Sequence, residues 1–341
     1  MGGAPSFHVP QQLAVEVTSL DAKHKPALCE IDVRIQVIGH VAEHTIGCSG
    51  DIPEYWPMRA WQLLVVDQEP LSQITSTLDA GRRSGCLSLP FRVGETLPME
   101  YVPPEAFGED YLYFYDAFLT DEVSDAQADR LWRLLELESG VEVLDVPCGH
   151  GRIANRFAAR GASVTGLDAD PVFLERARAD AAARGVEVEY IQGDMSTLPW
   201  EESFDLVLNW FSSFGYFDDK GNRAWLREAR KTLRPGGRLV IELWNRDAFA
   251  RNWLPVTMSE RDGDLQVDRH RFDLLTGRAE TDRFIVRGGR VRVVRFSVRA
   301  FTFTELREWL LDAGFSSVDV SGQEGEALDL QVRRMVIVAT R

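Results

Sequence analysis

Apolar and polar positions follow one rhythm up to about residue 100 and another beyond it. In the first stretch apolar residues alternate or cluster at strand spacing over 14–18, 29–37 and 61–66, with Gly, Pro and Ser breaking the pattern at 47–53, 81–85 and 98–104. This predicts a β-rich N-terminal accessory domain, 1–104, in which no chemical motif stands out. Pro103 and Pro104 mark a linker. Beyond them strands alternate with helices. The pattern predicts helices at 126–137 (Ser124 as cap), 152–160 and 171–184 (Pro171 in the first turn), and strands at 141–146, 162–167, 186–191, 204–209 and 238–243. A helix before the last strand is stopped by Pro235, Gly236 and Gly237. Three antiparallel strands then interrupt the rhythm at 264–272, 277–286 and 290–299, turned at 275–277 and 288–289. A helix at 303–313 with Thr304 as cap and strands at 317–320 and 334–339 close the chain. The fold class expected is α/β: a Rossmann-like, doubly wound sheet over 105–341 carrying an antiparallel β cap insertion at about 256–300, after the N-terminal β-rich domain.

Composition narrows the picture. A 341-residue chain that is 45% hydrophobic and 27% charged is globular, and it is long enough for two cores. No apolar run is long enough to span a bilayer, and MGGAPSFHVPQQ has neither the basic nor the apolar region of a signal peptide, so no membrane partner and a cytoplasmic location are expected. The net charge of −15 argues against a nucleic-acid partner. Cys29, Cys48, Cys86 and Cys148 form no C-x-x-C pair, which removes the disulfide-framework and zinc-knuckle classes. His40, His44 and Cys48 recur every four residues and would share a helix face fit for a metal. Gly39, Gly47 and the β-branched neighbours favour a strand or loop instead, so no metal site is expected.

The chemistry concentrates at VLDVPCGHGRIA, 143–154, where an apolar strand runs through a Gly-bearing turn into a helix. Gly149 and Gly151 let backbone approach a ligand, and Asp168, closing the next strand, is placed to accept ribose hydroxyls. Alone, this also satisfies a loose dinucleotide fingerprint, and a nicotinamide oxidoreductase stays open on it. Asp194–Met195 after the third strand, FDLVLNWFSSFGYF at 204–217 and LRPGGRLVIE at 233–242 extend the series.

As an ordered set over about 110–341 these motifs resemble the class I S-adenosylmethionine-dependent methyltransferases, small-molecule branch. The resemblance implies S-adenosyl-L-methionine as cofactor. Asp145, Gly149 and Gly151 would hold its methionine portion, with Pro147 standing where the family usually has Gly. Asp168 would take the ribose, Ala169 would lie beside the adenine, and Asp194 and Met195 would meet the ring. Asn209 and Trp210 would border the sulfonium, and Tyr115, in the aromatic run 111–115, would belong to a lid. By position His150 and Glu242 are candidate proton acceptors, and Tyr216 joins the aromatic lip 210–216 as a catalytic candidate. A base is needed only for a hydroxyl or acidic-carbon acceptor.

The expected reaction is methyl transfer to nitrogen or oxygen of a small molecule, a chemistry of secondary metabolism. A protein or nucleic-acid substrate is the alternative. The base-methylating Asn/Asp-Pro-Pro-Tyr/Phe run is absent, the chain reading Asn209-Trp210-Phe211-Ser212. The insertion resembles a substrate cap or dimer element, which admits a homodimer. Its ten Arg against six Asp and Glu between 261 and 300 suit an anionic substrate or, as the favoured reading, solvent-facing strand positions.

Overall fold

The computed structural model describes residues 13–17, 33–37, 40–42 and 107–341. The chain divides into two units, Met1–Pro98 with Pro255–Thr257, and Met99–Leu254 with Met258–Arg341. In the first unit β1 (Leu13–Val17), β2 (Val33–Val37) and β3 (His40–Ala42) form an antiparallel sheet in that order. His40 thus opens a strand, while His44, Cys48 and the strand expected at 61–66 lie outside the described residues.

The second unit opens with α1 (Gly108–Tyr115) and α2 (Asp121–Leu134). It continues with β4 (Glu142–Asp145), α3 (Ala154–Ala158), β5 (Ser163–Asp168), α4 (Pro171–Arg184), β6 (Glu189–Gln192), β7 (Phe204–Asn209), α5 (Asp219–Thr232) and β8 (Leu233–Trp244). After α6 (Arg246–Arg251) come β9 (Val256–Arg261), β10 (Asp264–Asp273), β11 (Arg278–Arg287) and β12 (Arg290–Arg299), then α7 (Phe303–Asp312), β13 (Ser317–Gly322) and β14 (Arg334–Thr340).

Seven strands lie in the order β13-β14-β8-β7-β4-β5-β6, with β14 antiparallel to both its neighbours and the strands from β8 to β6 parallel. Alternate side chains of each central strand enter opposite cores. Leu144, Val207, Ile241 and Ile337 pack with Trp225 and Leu226 of α5 and Leu306 and Leu310 of α7. Val143, Leu206, Leu208, Val240 and Val336 pack with Leu131 of α2, Phe157 of α3 and Leu174 and Ala177 of α4. Burial on both faces is why these strands read as continuous apolar runs. The chain winds from β4 outward through β5 and β6, then crosses back to β7. The order therefore reverses between β4 and β7, and a crevice at the carboxyl ends of these strands is where a sheet of this kind binds ligands.

Several boundaries differ from expectation. Helix α2 starts five residues early because Thr120, not Ser124, is the cap: its Oγ1 accepts from Val123 N at 3.4 Å, while Ser124 is buried. Likewise Thr302, not Thr304, caps α7, accepting from Glu305 N at 3.2 Å. Helix α5 ends at Thr232, and the Pro235–Gly236–Gly237 run lies inside β8. The insertion has four strands, in the order β12-β11-β10-β9, where three were expected.

The cap arginines divide: Arg269, Arg271, Arg290 and Arg295 are exposed, as the favoured expectation has it, while others are tied down. Arg278 donates to the carbonyls of Gly215, Tyr216 and Phe217 at 3.0–3.3 Å, and Arg287 and Arg292 both pair with Asp110 of α1. Arg283 and Asp268, direct cross-strand partners, form a bidentate pair at 2.7 and 2.8 Å, and both are buried. These contacts seat the cap and α1 over the loop that follows β7.

Candidate functional site

The loop after β4 begins with buried Asp145, passes the cis Val146–Pro147 peptide and reaches Gly149 and Gly151, both at positive φ (54° and 76°). The two glycines serve different ends. A Cβ on Gly149 would meet nothing within 4 Å, so this backbone lines open space. One on Gly151 would lie 2.1 Å from the Tyr190 hydroxyl oxygen and 2.8 Å from Ala177 Cβ, so this glycine is demanded by packing.

Asp168, at the end of β5, accepts from Gly149 N at 2.7 Å with one oxygen and from Asp170 N at 2.9 Å with the other. Its carboxyl thus braces the loop, and each oxygen keeps lone pairs for a further donor. Burial raises its pKa to about 6. Ala169 is half-buried beside it, and its carbonyl accepts from Gln192 Nε2 at 3.3 Å. Asp194 is exposed and turns back to accept from Ser196 N at 2.7 Å. Met195 departs from expectation, since its side chain belongs to the core beneath the sheet. Its carbonyl anchors Trp225 Nε1 at 3.0 Å.

Across the crevice Asn209 is fully buried and donates through Nδ2 to Val146 O at 2.8 Å, clipping the loop to β7. Its Oδ1 and Trp210 Nε1 are buried without a hydrogen-bond partner among the described residues. Phe211 and Ser212 follow at φ 64° and 59°, a left-handed pair without glycine, and such strain collects at working sites. The guanidinium of Arg152 lies 5.0 Å from the Phe211 ring and that of Arg334 4.8 Å from it.

Glu242 departs from the picture of an open proton acceptor. It is fully buried, paired with Arg334 and bonded by Gln323 Nε2 at 2.8 Å, and Arg334 in turn donates to Ser212 Oγ at 3.0 Å. Burial raises its pKa against the pull of Arg334 and Arg152. His150 is half-buried against Phe173, ring centroids 6.2 Å apart, and burial with nearby arginines lowers its pKa to about 4. Tyr216 is held protonated by burial.

The run 111–115 is itself helical and forms α1. Tyr111 stacks on Tyr115 at 4.2 Å and touches Phe173 at 5.4 Å. Phe107 meets Tyr216 at 6.1 Å and Phe296 of β12 at 6.0 Å, and Tyr115 reaches Phe211 at 6.5 Å. Arg283 Nη2 donates to the Tyr115 hydroxyl at 3.3 Å. An aromatic cluster thus ties α1 to α4, the β7 lip and the cap. Arg152, Phe107, Phe173 and Arg283 were not foreseen, because their relevance depends on burial and on partners more than twenty residues away.

Asp145 gives the site a pH signature. Burial, with Asp168 adding to it against Arg152, raises its pKa from 3.8 to about 8. The folded carboxyl keeps its proton to higher pH than the unfolded one, so stability falls as pH rises through that interval. Neutral His150 works the opposite way below its ordinary 6.5. The melting temperature is therefore expected to fall between about pH 6.5 and 8, and Asp145→Asn to flatten that decline in scanning calorimetry.

The residues present suit a nucleoside cofactor carrying an amino-acid tail: an open glycine cradle, an acid with spare lone pairs and unpartnered polar atoms across the crevice. Comparison with known proteins names the chemistry. Residues 143–237 match the family model described as "Methyltransferase domain". The demethylmenaquinone methyltransferase of Clavibacter sepedonicus is 30% identical over 201 residues, 56% of this chain and 74% of that protein. That of Thermus thermophilus is 35% identical over 122 residues, 33% of this chain and only 54% of its own length. The solved CcbJ methyltransferase from Streptomyces caelestis shares the fold, with a TM-score of 0.58 at 22% identity over 70% of this chain and 98% of its own. These likenesses overturn the oxidoreductase reading of the Gly-bearing loop, and with the order of strands and loops they make the chain a member of the class I S-adenosylmethionine-dependent methyltransferases.

Proposed function

We propose that this methyltransferase acts on a nitrogen or oxygen of a small molecule. The observation that carries this reading is the cover over the β7 lip: α1 and the cap sheet close on Phe211–Phe217 through the Phe107–Tyr216 contact and the Arg278 clamp. A lip roofed in this way suits an acceptor of modest size better than a polymer. The two demethylmenaquinone methyltransferases named above act, by their names, on a non-polymeric acceptor, which supports the small-molecule part of this reading.

When bound, S-adenosylmethionine supplies a methyl group on a sulfonium for in-line displacement. Asp168 would orient the ribose, Gly149 would let the backbone close on the cofactor, and Asn209 and Trp210 would border the methyl group. The aromatic cluster of Tyr115, Phe211 and Tyr216 would keep water from the transfer. Alignment of donor and acceptor is worth about 7–11 kcal/mol in well-ordered systems. Glu242 serves in this reading to hold Arg334 and the strained lip. His150, neutral at physiological pH, is the remaining proton acceptor, but a weak one. A neutral amine needs no base in the transition state, which favours nitrogen as the accepting atom.

The test has two arms. In calorimetric titration the protein is expected to bind S-adenosylhomocysteine and not NAD, and Asp168→Ala to weaken that binding at least about tenfold, since it removes a charged acceptor and a loop brace. In a panel of amines, alcohols, peptides and oligonucleotides, methyl transfer from radiolabelled cofactor should favour the small amines. Transfer confined to peptide or oligonucleotide would overturn the reading.

A further inference from the structure

Four aromatic side chains form a continuous wall beside the lip. Trp244, at the end of β8, is 41% exposed, while Phe249 of α6, Trp253 and Phe272 of β10 are half-buried. None of them joins a hydrophobic core formed by the described residues. Ring centroids lie 6.2 Å apart for Trp244 and Phe249, 4.9 Å for Phe249 and Trp253, and 5.8 Å for Trp253 and Phe272. Trp253 also meets His270 of β10 at 6.1 Å. A contiguous apolar patch left partly open to water marks a binding surface.

Two routes show where the wall stands. Arg334, the cross-strand partner of Trp244, lies 4.5 Å from the Trp244 ring and 4.8 Å from that of Phe211, so the wall begins at the lip. It ends on the cap at His270 and Phe272, which share one face of β10 with Asp268. The partner of Asp268, Arg283, donates to the Tyr115 hydroxyl at 3.3 Å, and the Tyr115 ring lies 6.5 Å from that of Phe211. The wall and α1 thus start from one lip residue, end on one face of the cap and bound the space between lip and cap.

The charges along the wall are already matched. Arg334 is paired with Glu242, and Arg246, 5.7 Å from the Phe272 ring, has Glu305 at 3.9 Å. Burial lowers the pKa of His270, which adds no charge at neutral pH. Arg152 Nη2 is buried with no hydrogen-bond partner among the described residues, but it belongs to the loop after β4 and not to the wall. Rings without unmatched charge select a flat, uncharged ligand, because stacked and edge-to-face rings add an attraction that a saturated molecule lacks. We propose that the methyl acceptor is a planar, uncharged aromatic molecule stacked along Trp244, Phe249, Trp253 and Phe272, with its accepting atom turned to the lip; this rests on the small-molecule reading given above.

The test is calorimetric titration of the protein saturated with S-adenosylhomocysteine. The probes are 2-naphthol, its saturated counterpart decahydro-2-naphthol and its charged counterpart 2-naphthoate. 2-Naphthol is expected to bind at least about threefold more tightly than either of the others. Trp244→Leu and Trp253→Leu should each weaken its binding about three- to tenfold, and Trp253→Phe should restore most of the loss. Melting curves establish folding, and affinity for S-adenosylhomocysteine should stay within about twofold, as for sites without shared partners. Equal binding of 2-naphthol and its saturated counterpart, tighter binding of 2-naphthoate, or unchanged affinity in the leucine variants would each overturn the proposal. So would a wild-type chain that binds no probe; if Trp244→Leu then dissociates a dimer, the wall belongs to a second copy. Transfer confined to peptide or oligonucleotide, from a chain that binds 2-naphthol as expected, would sink the small-molecule reading while sustaining the aromatic site.

Discussion

Gly151→Ala should cost the fold about 2–5 kcal/mol, from the left-handed backbone together with overpacking of a closed site. At φ 76° an L side chain is strained before any contact is counted. The new methyl would also fall 2.1 Å from the Tyr190 hydroxyl, which donates to Asn155 Oδ1 at 2.6 Å inside the core. Moving the tyrosine ring breaks that buried hydrogen bond, and Ala177 blocks the other direction. Urea denaturation measures the loss directly. Gly149→Ala is the control: its backbone is equally left-handed, but nothing lies within 4 Å, so its stability should fall by only about 1–2 kcal/mol. Its main effect should be on S-adenosylhomocysteine affinity, because the methyl projects into the cradle. Equal stability losses in the two variants would refute the division of labour between the two glycines.

Asp268→Ala should cost about 3–5 kcal/mol, the usual result of leaving one member of a buried ion pair alone. Arg283 would keep its charge in an apolar surrounding of Tyr115 and Phe296, with only the 3.3 Å bond to the Tyr115 hydroxyl. Because that bond ties the cap to α1, lid closure should suffer as well, seen as a higher KM for any acceptor the enzyme is found to use. The double variant Asp268→Ala, Arg283→Met should recover most of the stability, since an apolar pair of similar volume avoids the desolvation penalty. A double variant no more stable than the single one would mean that the pair's worth lies in geometry, not in charge compensation.

The strand–turn–helix after β4, the acid ending β5 and the Gly-bearing turn between α5 and the core of β8 were legible because each is local. A strand buried on both faces is a run of Val, Leu and Ile, and glycine marks most left-handed turns. Helix starts were less legible. Thr120 and Ser124, or Thr302 and Thr304, are equally good caps as residue types, and the choice falls to whichever hydroxyl finds the free N–H once the helix has packed.

The candidate site divides along the same line. That Asp145, Gly149, Gly151 and Asp168 share one loop system followed from the order of residues alone. That Met195 is core, that Glu242 is locked by Arg334, that Arg278 and Arg283 are clamps and that Arg152 holds an unused donor followed from partners distant in the chain. Sequence by itself determined the fold class and the Gly-bearing loop after β4, since periodicity and turn chemistry act over a few residues. Tertiary structure alone decided which polar groups are satisfied. Whether a buried charge has a partner depends on what desolvates it, and burial is set by packing between elements that no local pattern records.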